Sequence, residues 1–226
     1  MGTIISDEKG FIFIHIPKTA GVSVASMLAP YRRNRWLDRK PLRAAINLAS
    51  VYSGLSVERA FGGRVIPEHA GLNQLCALVP GLDPARYYSF AIVRNPWDRV
   101  ASAFHYDQHV SRSRYLRPGY WQTRGAGFSD WLAHHAGRRA SGRIASQFDM
   151  ICTPARDGVA ITRLVRFEHL ADDFGDVARR IGLADGALPR LNVSRNRDYR
   201  RLYCDADAAL VADIYADDIR AFGYRF

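Results

Sequence analysis

The stretch Phe11-Ile-Phe-Ile-His-Ile-Pro-Lys-Thr-Ala-Gly-Val-Ser23 decides the fold. Phe11 to Ile16 is an apolar run too short for a helix and suited to a buried strand. Pro17 ends it, because proline cannot donate to a sheet ladder. Lys18, Thr19, Ala20 and Gly21 make a turn of small residues around one cation. Val22, Ser23, Ala25, Ser26, Met27 and Leu28 then read as a helix. The unit is strand, loop, helix. A loop at a helix N-terminus offers free N–H groups and the positive end of the dipole to an anion. Lys18 adds a positive charge, and Thr19 and Ser23 add hydroxyls. The pattern is not G-x-x-x-x-G-K-[ST], because Lys18 precedes Gly21.

A second stretch repeats the logic: Phe90-Ala-Ile-Val-Arg-Asn-Pro-Trp-Asp-Arg-Val-Ala-Ser-Ala-Phe104. An apolar strand, Tyr88 to Val93, meets a polar turn at Arg94-Asn95. Pro96 suits the first turn of a helix, which carries Val100, Ala103 and Phe104 towards a core and runs to about Val110. Arg94 stands at the strand end and Ser102 two turns into the helix. A planar guanidinium with a hydroxyl nearby suits a phosphate.

Together, His15-Ile-Pro-Lys-Thr-Ala-Gly-Val-Ser23 and Val93-Arg-Asn-Pro-Trp-Asp-Arg-Val-Ala-Ser102 resemble the two cofactor signatures of sulfotransferases that use 3′-phosphoadenosine 5′-phosphosulfate (PAPS). The nearest resemblance is to the carbohydrate branch that includes heparan 2-O- and chondroitin 4-O-sulfotransferases and bacterial relatives. It runs nearly end to end: Arg166-Phe-Glu-His-Leu170, Leu191-Asn-Val-Ser194 and the stretch from Asp217 to Phe226 also look like the family. The resemblance implies an α/β fold, one domain over residues 1–226, with a three-layer, P-loop-like arrangement of a mainly parallel central sheet flanked by helices. It implies that Lys18, Thr19, Ala20, Gly21, Val22 and Ser23 surround the 5′-phosphosulfate. Arg94 and Ser102 would take the 3′-phosphate. Arg195 or Arg197, in a segment that closes over the nucleotide in the family, either reaches a phosphate or belongs to a solvated loop. One residue departs from the pattern: the family commonly has threonine after Gly21, and here Val22 removes a hydroxyl.

Pro67-Glu-His-Ala70 follows a short strand read at Arg64-Val-Ile66. In open α/β sheets ligands gather outside the carboxyl ends of the strands. In the family, a histidine between the two signatures is the general base, and His69 is the only histidine in that interval. The role is carried to His69, with Glu68 as a second candidate; the plain alternative is a histidine capping the next helix.

The 226 residues are 48% hydrophobic, enough for one α/β domain with a sizeable core. The net charge is +10, carried by 29 Arg and only three Lys. An arginine bias of this kind often reflects genome composition, but it makes Lys18 conspicuous as a compact point charge. A basic chain suits an anionic donor, and no helix-turn-helix, zinc or RNA-recognition motif supports nucleic acid as the partner. Cys76, Cys152 and Cys204 form neither a disulfide framework nor a metal pattern. No signal peptide is visible, nor any apolar run near the roughly 20 residues of a membrane span. A cytoplasmic protein is the expectation.

Leu42, Ala45, Ile46 and Ala49 recur at helical spacing. Leu72 to Val79 reads as a helix stopping at Pro80-Gly81. His105 and His109 share a helix face but lack a third metal ligand. Residues 111–127 mix arginines with Tyr115, Tyr120 and Trp121, which suits sugar faces and anionic groups, or else is an insertion. Phe128 to Leu132 starts a helix, and Gln147-Phe-Asp149 matches a glutamine segment of bacterial relatives. Ile161 to Phe167 reads as a strand, followed by a helix with Leu170, Phe174, Val177 and Ile181 on one stripe. Leu210, Val211, Ile214 and Phe222 build a C-terminal helix.

The expected chemistry is metal-free transfer of a sulfuryl group from PAPS to an acceptor hydroxyl, on a carbohydrate or glycoconjugate. His69 would take the hydroxyl proton and Lys18 would stabilise the leaving phosphate. Two other classes stay open: a non-catalytic binder of anionic glycans, and a nucleotide kinase, which would need Walker residues and a Mg²⁺ carboxylate.

Overall fold

The computed structural model describes residues 2–33, 66–109, 125–183 and 198–226. In chain order their elements are β1 (Ile4–Ser6), β2 (Phe11–Ile14), α1 (Gly21–Leu28), α2 (Leu72–Leu78), β3 (Tyr88–Val93), α3 (Pro96–His109), α4 (Phe128–Ala140), α5 (Gln147–Ile151), β4 (Arg163–Arg166), α6 (Leu170–Arg180), α7 (Asp205–Ile214) and α8 (Ala216–Phe222). They fall into two compact units, Met1–Val93 with Met150–Leu191, and Arg94–Asp149 with Asn192–Phe226. The helix read over Leu42–Ala49, Arg64 and Val65 of the proposed short strand, most of the aromatic-arginine loop, and Arg195 and Arg197 lie outside the described residues.

The first unit is built on a four-stranded sheet in the order β1-β2-β3-β4. β2, β3 and β4 are parallel, and β1 is antiparallel to β2. The α/β class with a mainly parallel sheet, read from the sequence, is what the chain forms. Every residue of β2 is buried, as the central strand of a sheet covered on both faces requires. On one face Phe11, Phe13, Phe90, Ile92 and Val165 join Val24 and Leu28 of α1 with Phe174 and Val177 of α6. The alternate residues Ile12, Ile14 and Ala91 are equally inaccessible. α6 keeps the stripe expected of it, with Asp172 and Asp173 in its first turn and Arg179 and Arg180 in its last, complementing the helix dipole.

Two strand boundaries and one whole strand differ from the sequence reading. β2 stops at Ile14, because the N–H of His15 donates to the Thr3 hydroxyl at 3.1 Å instead of to a strand. β4 begins only at Arg163. Before it, Ser89 and Thr162 exchange two bonds, each backbone N–H donating to the other's hydroxyl at 3.2 and 3.0 Å. β1, which the sequence reading did not include, is a three-residue edge strand of Ile4, Ile5 and Ser6.

The second unit is helical over its described residues. Trp131 of α4 is buried, lies 5.5 Å from Phe104 and 4.7 Å from His135 between ring centroids, and donates its indole N–H to Asp107 at 3.1 Å. Burial, with Arg99 and Arg138 nearby, pulls the His135 imidazole down to about 3. The expected single C-terminal helix is two, α7 and α8, divided at Tyr215, whose φ of −122° and ψ of 27° are not helical. The Tyr215 ring is buried under the Arg99 guanidinium at 4.7 Å, and its hydroxyl is 2.8 Å from Nε2 of His135. No helix among the described residues is long and apolar enough to cross a membrane.

Candidate active site

The loop between β2 and α1 has an unusual backbone. Lys18 and Ala20 have φ of +70° and +63°, the left-handed region that side chains disfavour. Each costs roughly 1–2 kcal/mol relative to a right-handed conformation, and such strain collects at ligand sites. Left-handed residues in tight turns form concavities of N–H groups that take anions. Ala20 is the N-cap of α1 and has no side-chain oxygen to satisfy the first helical N–H groups; nor is there an acidic residue in the first turn. These features fit an anionic group. The loop is held from beneath: Thr19 is fully buried and donates its hydroxyl to the Ile16 carbonyl at 3.0 Å. Lys18 and Ser23 are half-buried, and Val22 is 61% exposed.

Gly21 is required by close approach. A Cβ there would lie 2.2 Å from Cδ2 and 2.6 Å from Nε2 of His15. The His15 ring is buried beside Phe13 and meets the His69 ring edge-on, 4.7 Å between centroids. Nδ1 of His69 lies 3.1 Å from the His15 carbonyl oxygen. A carbonyl only accepts, so Nδ1 carries the proton in the neutral ring and Nε2 carries the lone pair. His69 is itself exposed, in a turn closed by the Ala70 N–H on the Pro67 carbonyl at 3.2 Å. It does not cap α2, whose N-cap is Gly71.

Thr3 ties this turn to the end of β2. Its hydroxyl accepts from the His15 N–H and donates to the Ala70 carbonyl at 2.9 Å, and its own N–H donates to the Glu68 carbonyl at 3.0 Å. Gly2 approaches Glu68 so closely that a Cβ would sit 2.2 Å from the carbonyl oxygen. The histidine spacing alone gave no sign of Thr3; its contribution is a pairing across most of a domain.

In the second unit Arg94 is 7% exposed and held on two sides. Its Nε and Nη2 donate to Oδ2 and Oδ1 of Asp98 at 2.8 and 2.7 Å, a bidentate pair across one helical turn. Its peptide is paired with the side chain of Gln147. The Arg94 N–H donates to Oε1 at 2.9 Å, and Nε2 donates to the Arg94 carbonyl at 2.9 Å. Gln147 is anchored by Asp218, which is fully buried. Oδ2 of Asp218 accepts from the Gln147 N–H and from Nε2, both at 3.1 Å, and Oδ1 from the Phe148 N–H at 2.7 Å. Nη2 of Arg99 lies 3.8 Å from Oδ2 of the same carboxylate. Ser102, half-buried, is four residues after Asp98 and shares its face of α3. Asp98 went unread in the sequence, although its spacing of four from Arg94 is a recognisable pairing signal. Among the described residues no group of side chains could hold a metal ion.

The strand-loop-helix with its cation, and the arginine signature after the next parallel strand, agree with the chain's sequence likeness. The sequence model described as the sulfotransferase family matches residues 1–225. The chain belongs to the sulfotransferase family. No curated protein and no solved structure matches it. As a sulfotransferase it requires a sulfate donor and an acceptor hydroxyl. Within the first unit β2 and β3 are parallel neighbours, and the chain leaves β2 into the Lys18 loop.

Proposed function

We propose that this sulfotransferase takes its sulfuryl group from PAPS and delivers it to a hydroxyl of a carbohydrate or glycoconjugate. The observation that carries the reading is His69, held with Nδ1 against the His15 carbonyl, while the ring of the same His15 packs against the loop glycine, Gly21. When bound, the donor supplies an activated sulfuryl group on a phosphate leaving group. The chain's own residues do the rest. Nε2 of His69 takes the proton from the acceptor hydroxyl as the oxygen attacks sulfur. Lys18 meets the charge that develops on the leaving phosphate oxygen. Main-chain N–H groups from Ala20 to Val22, with the Ser23 hydroxyl, hold the 5′-phosphosulfate, the Ser23 N–H being donated to the Ala20 carbonyl at 3.2 Å. Thr19 contributes through its backbone, since its hydroxyl is already donated to Ile16. Arg94 and Ser102 take the 3′-phosphate and so separate PAPS from nucleotides lacking it.

Calorimetric titration with adenosine 3′,5′-bisphosphate, the desulfated donor, against ATP with Mg²⁺ tests the reading. Micromolar binding of the bisphosphate, lost in Arg94→Ala, supports it. Binding of ATP with Mg²⁺ alone would replace it with a nucleotide kinase, and binding of neither with a glycan-binding protein.

A further inference from the structure

We infer that Gln147 and Asp98 are positioning residues for Arg94, fixing the direction in which its guanidinium is presented to a 3′-phosphate. The inference rests on the proposed role of Arg94 and adds the residues that make that role possible. Recognition of a phosphate by arginine is directional, because the guanidinium donors form a rigid fork. A fork is useful only if both its root and its shaft are fixed. Gln147 fixes the root: its side-chain amide pairs with both the N–H and the carbonyl of Arg94, as a neighbouring strand would. This pairing comes from a residue with no exposed surface, and Asp218 fixes the amide in turn by accepting from Nε2 and from the Gln147 N–H. A glutamine held so cannot rotate without abandoning buried hydrogen bonds and leaving their partners unsatisfied. Asp98 fixes the shaft, engaging Nε and Nη2 at 2.8 and 2.7 Å.

The arrangement has a counterintuitive consequence. Asp98 is a carboxylate beside the arginine proposed to bind an anion. On charge alone its removal would strengthen binding of a phosphate. If Asp98 instead positions Arg94, its removal weakens binding.

The experiment measures the dissociation constants of adenosine 3′,5′-bisphosphate and adenosine 5′-monophosphate for the full chain, for Gln147→Met and for Asp98→Asn. The ratio of the two constants isolates the 3′-phosphate, and a general loss of structure would not move it selectively. The unaltered chain is expected to prefer the bisphosphate. Each variant is expected to lose about tenfold of that preference, the equivalent of one hydrogen bond to a charged group, with monophosphate affinity unchanged. Combining either variant with Arg94→Ala is expected to add nothing further, as for residues acting through one group. Circular dichroism accompanies each titration. Should Gln147→Met fail to fold, Asp98→Asn, on a partly exposed side chain, decides. Preference retained or raised in Asp98→Asn, or retained in a folded Gln147→Met, overturns the inference and leaves the proposed function standing. Failure of the unaltered chain to bind the bisphosphate overturns the proposed function, and the inference with it.

Discussion

Nδ1 of His69 faces the carbonyl oxygen of His15 at 3.1 Å, so a backbone group that mutation cannot remove sets which imidazole nitrogen is free. His69→Ala is expected to lower turnover by roughly 10²–10⁴-fold, the usual worth of a positioned acid–base group, with affinity for adenosine 3′,5′-bisphosphate nearly unchanged. Transfer of radiolabelled sulfate from PAPS to a panel of glycans, alongside calorimetry, measures both. Near-native turnover would remove His69 from the reaction.

Thr3 should matter to that histidine without touching the donor. Thr3→Val keeps the shape and removes the hydroxyl that joins the His15 N–H to the Ala70 carbonyl. Turnover is expected to fall about tenfold or more with donor affinity kept, and Thr3→Ser to restore most of it, since one hydrogen bond to each side returns. Turnover kept in Thr3→Val but lost in Thr3→Ser would show that the methyl group, not the hydroxyl, is what counts.

Gly21→Ala forces a methyl group onto the buried His15 ring, at 2.2 Å from Cδ2 before any relaxation. The cost is expected at about 1–3 kcal/mol or above, as for other overpacked cores, read from urea denaturation. An unchanged midpoint would mean that the imidazole yields freely. By contrast Val22, 61% exposed, tolerates change. Val22→Thr restores a hydroxyl where the family's loop commonly has one, and is expected to tighten donor binding by about 1 kcal/mol without altering stability.

Much of this architecture is legible in the residues. Tyr88–Val93 is a strand with the bounds its apolar run predicts. Pro96 opens a helix, and Leu170, Phe174 and Val177 line the buried stripe their spacing announces. What spacing conveys is local. The partners that give the candidate site its geometry join positions far apart in the chain: Thr3 with Ala70, Gln147 with Arg94, Asp218 with Gln147. No periodicity reports such pairings. β1 escaped because three residues hold too little pattern, and the break at Tyr215 because the buried bond of its hydroxyl to His135 joins residues 80 apart in the chain.

His135 makes stability depend on pH. Burial first, then the charges of Arg99 and Arg138, hold its imidazole down to about 3, against an ordinary 6.5. The unfolded chain therefore takes up a proton below pH 6.5 that the folded chain refuses. The contribution of the neutral ring is complete above 6.5 and declines as pH falls towards 3, by about 1.4 kcal/mol per unit. Urea midpoints measured between pH 7 and pH 4 are expected to fall accordingly. His135→Gln, which cannot titrate, should flatten that part of the slope; an identical slope would place the titration elsewhere.

The parallel sheet also sets the order in which the chain can assemble. β1 and β2 form a hairpin from residues close together in the chain. The other edge of Phe11-Ile-Phe-Ile14 has to wait for Tyr88–Val93, which in turn waits for Arg163–Arg166. Until then a fully apolar strand edge is open to any neighbour, the condition under which nascent chains aggregate. Pairing of such distant segments is intrinsically slow. Yield in a heterologous host is thus expected to depend on translation rate and chaperone supply more than on the stability of the finished fold.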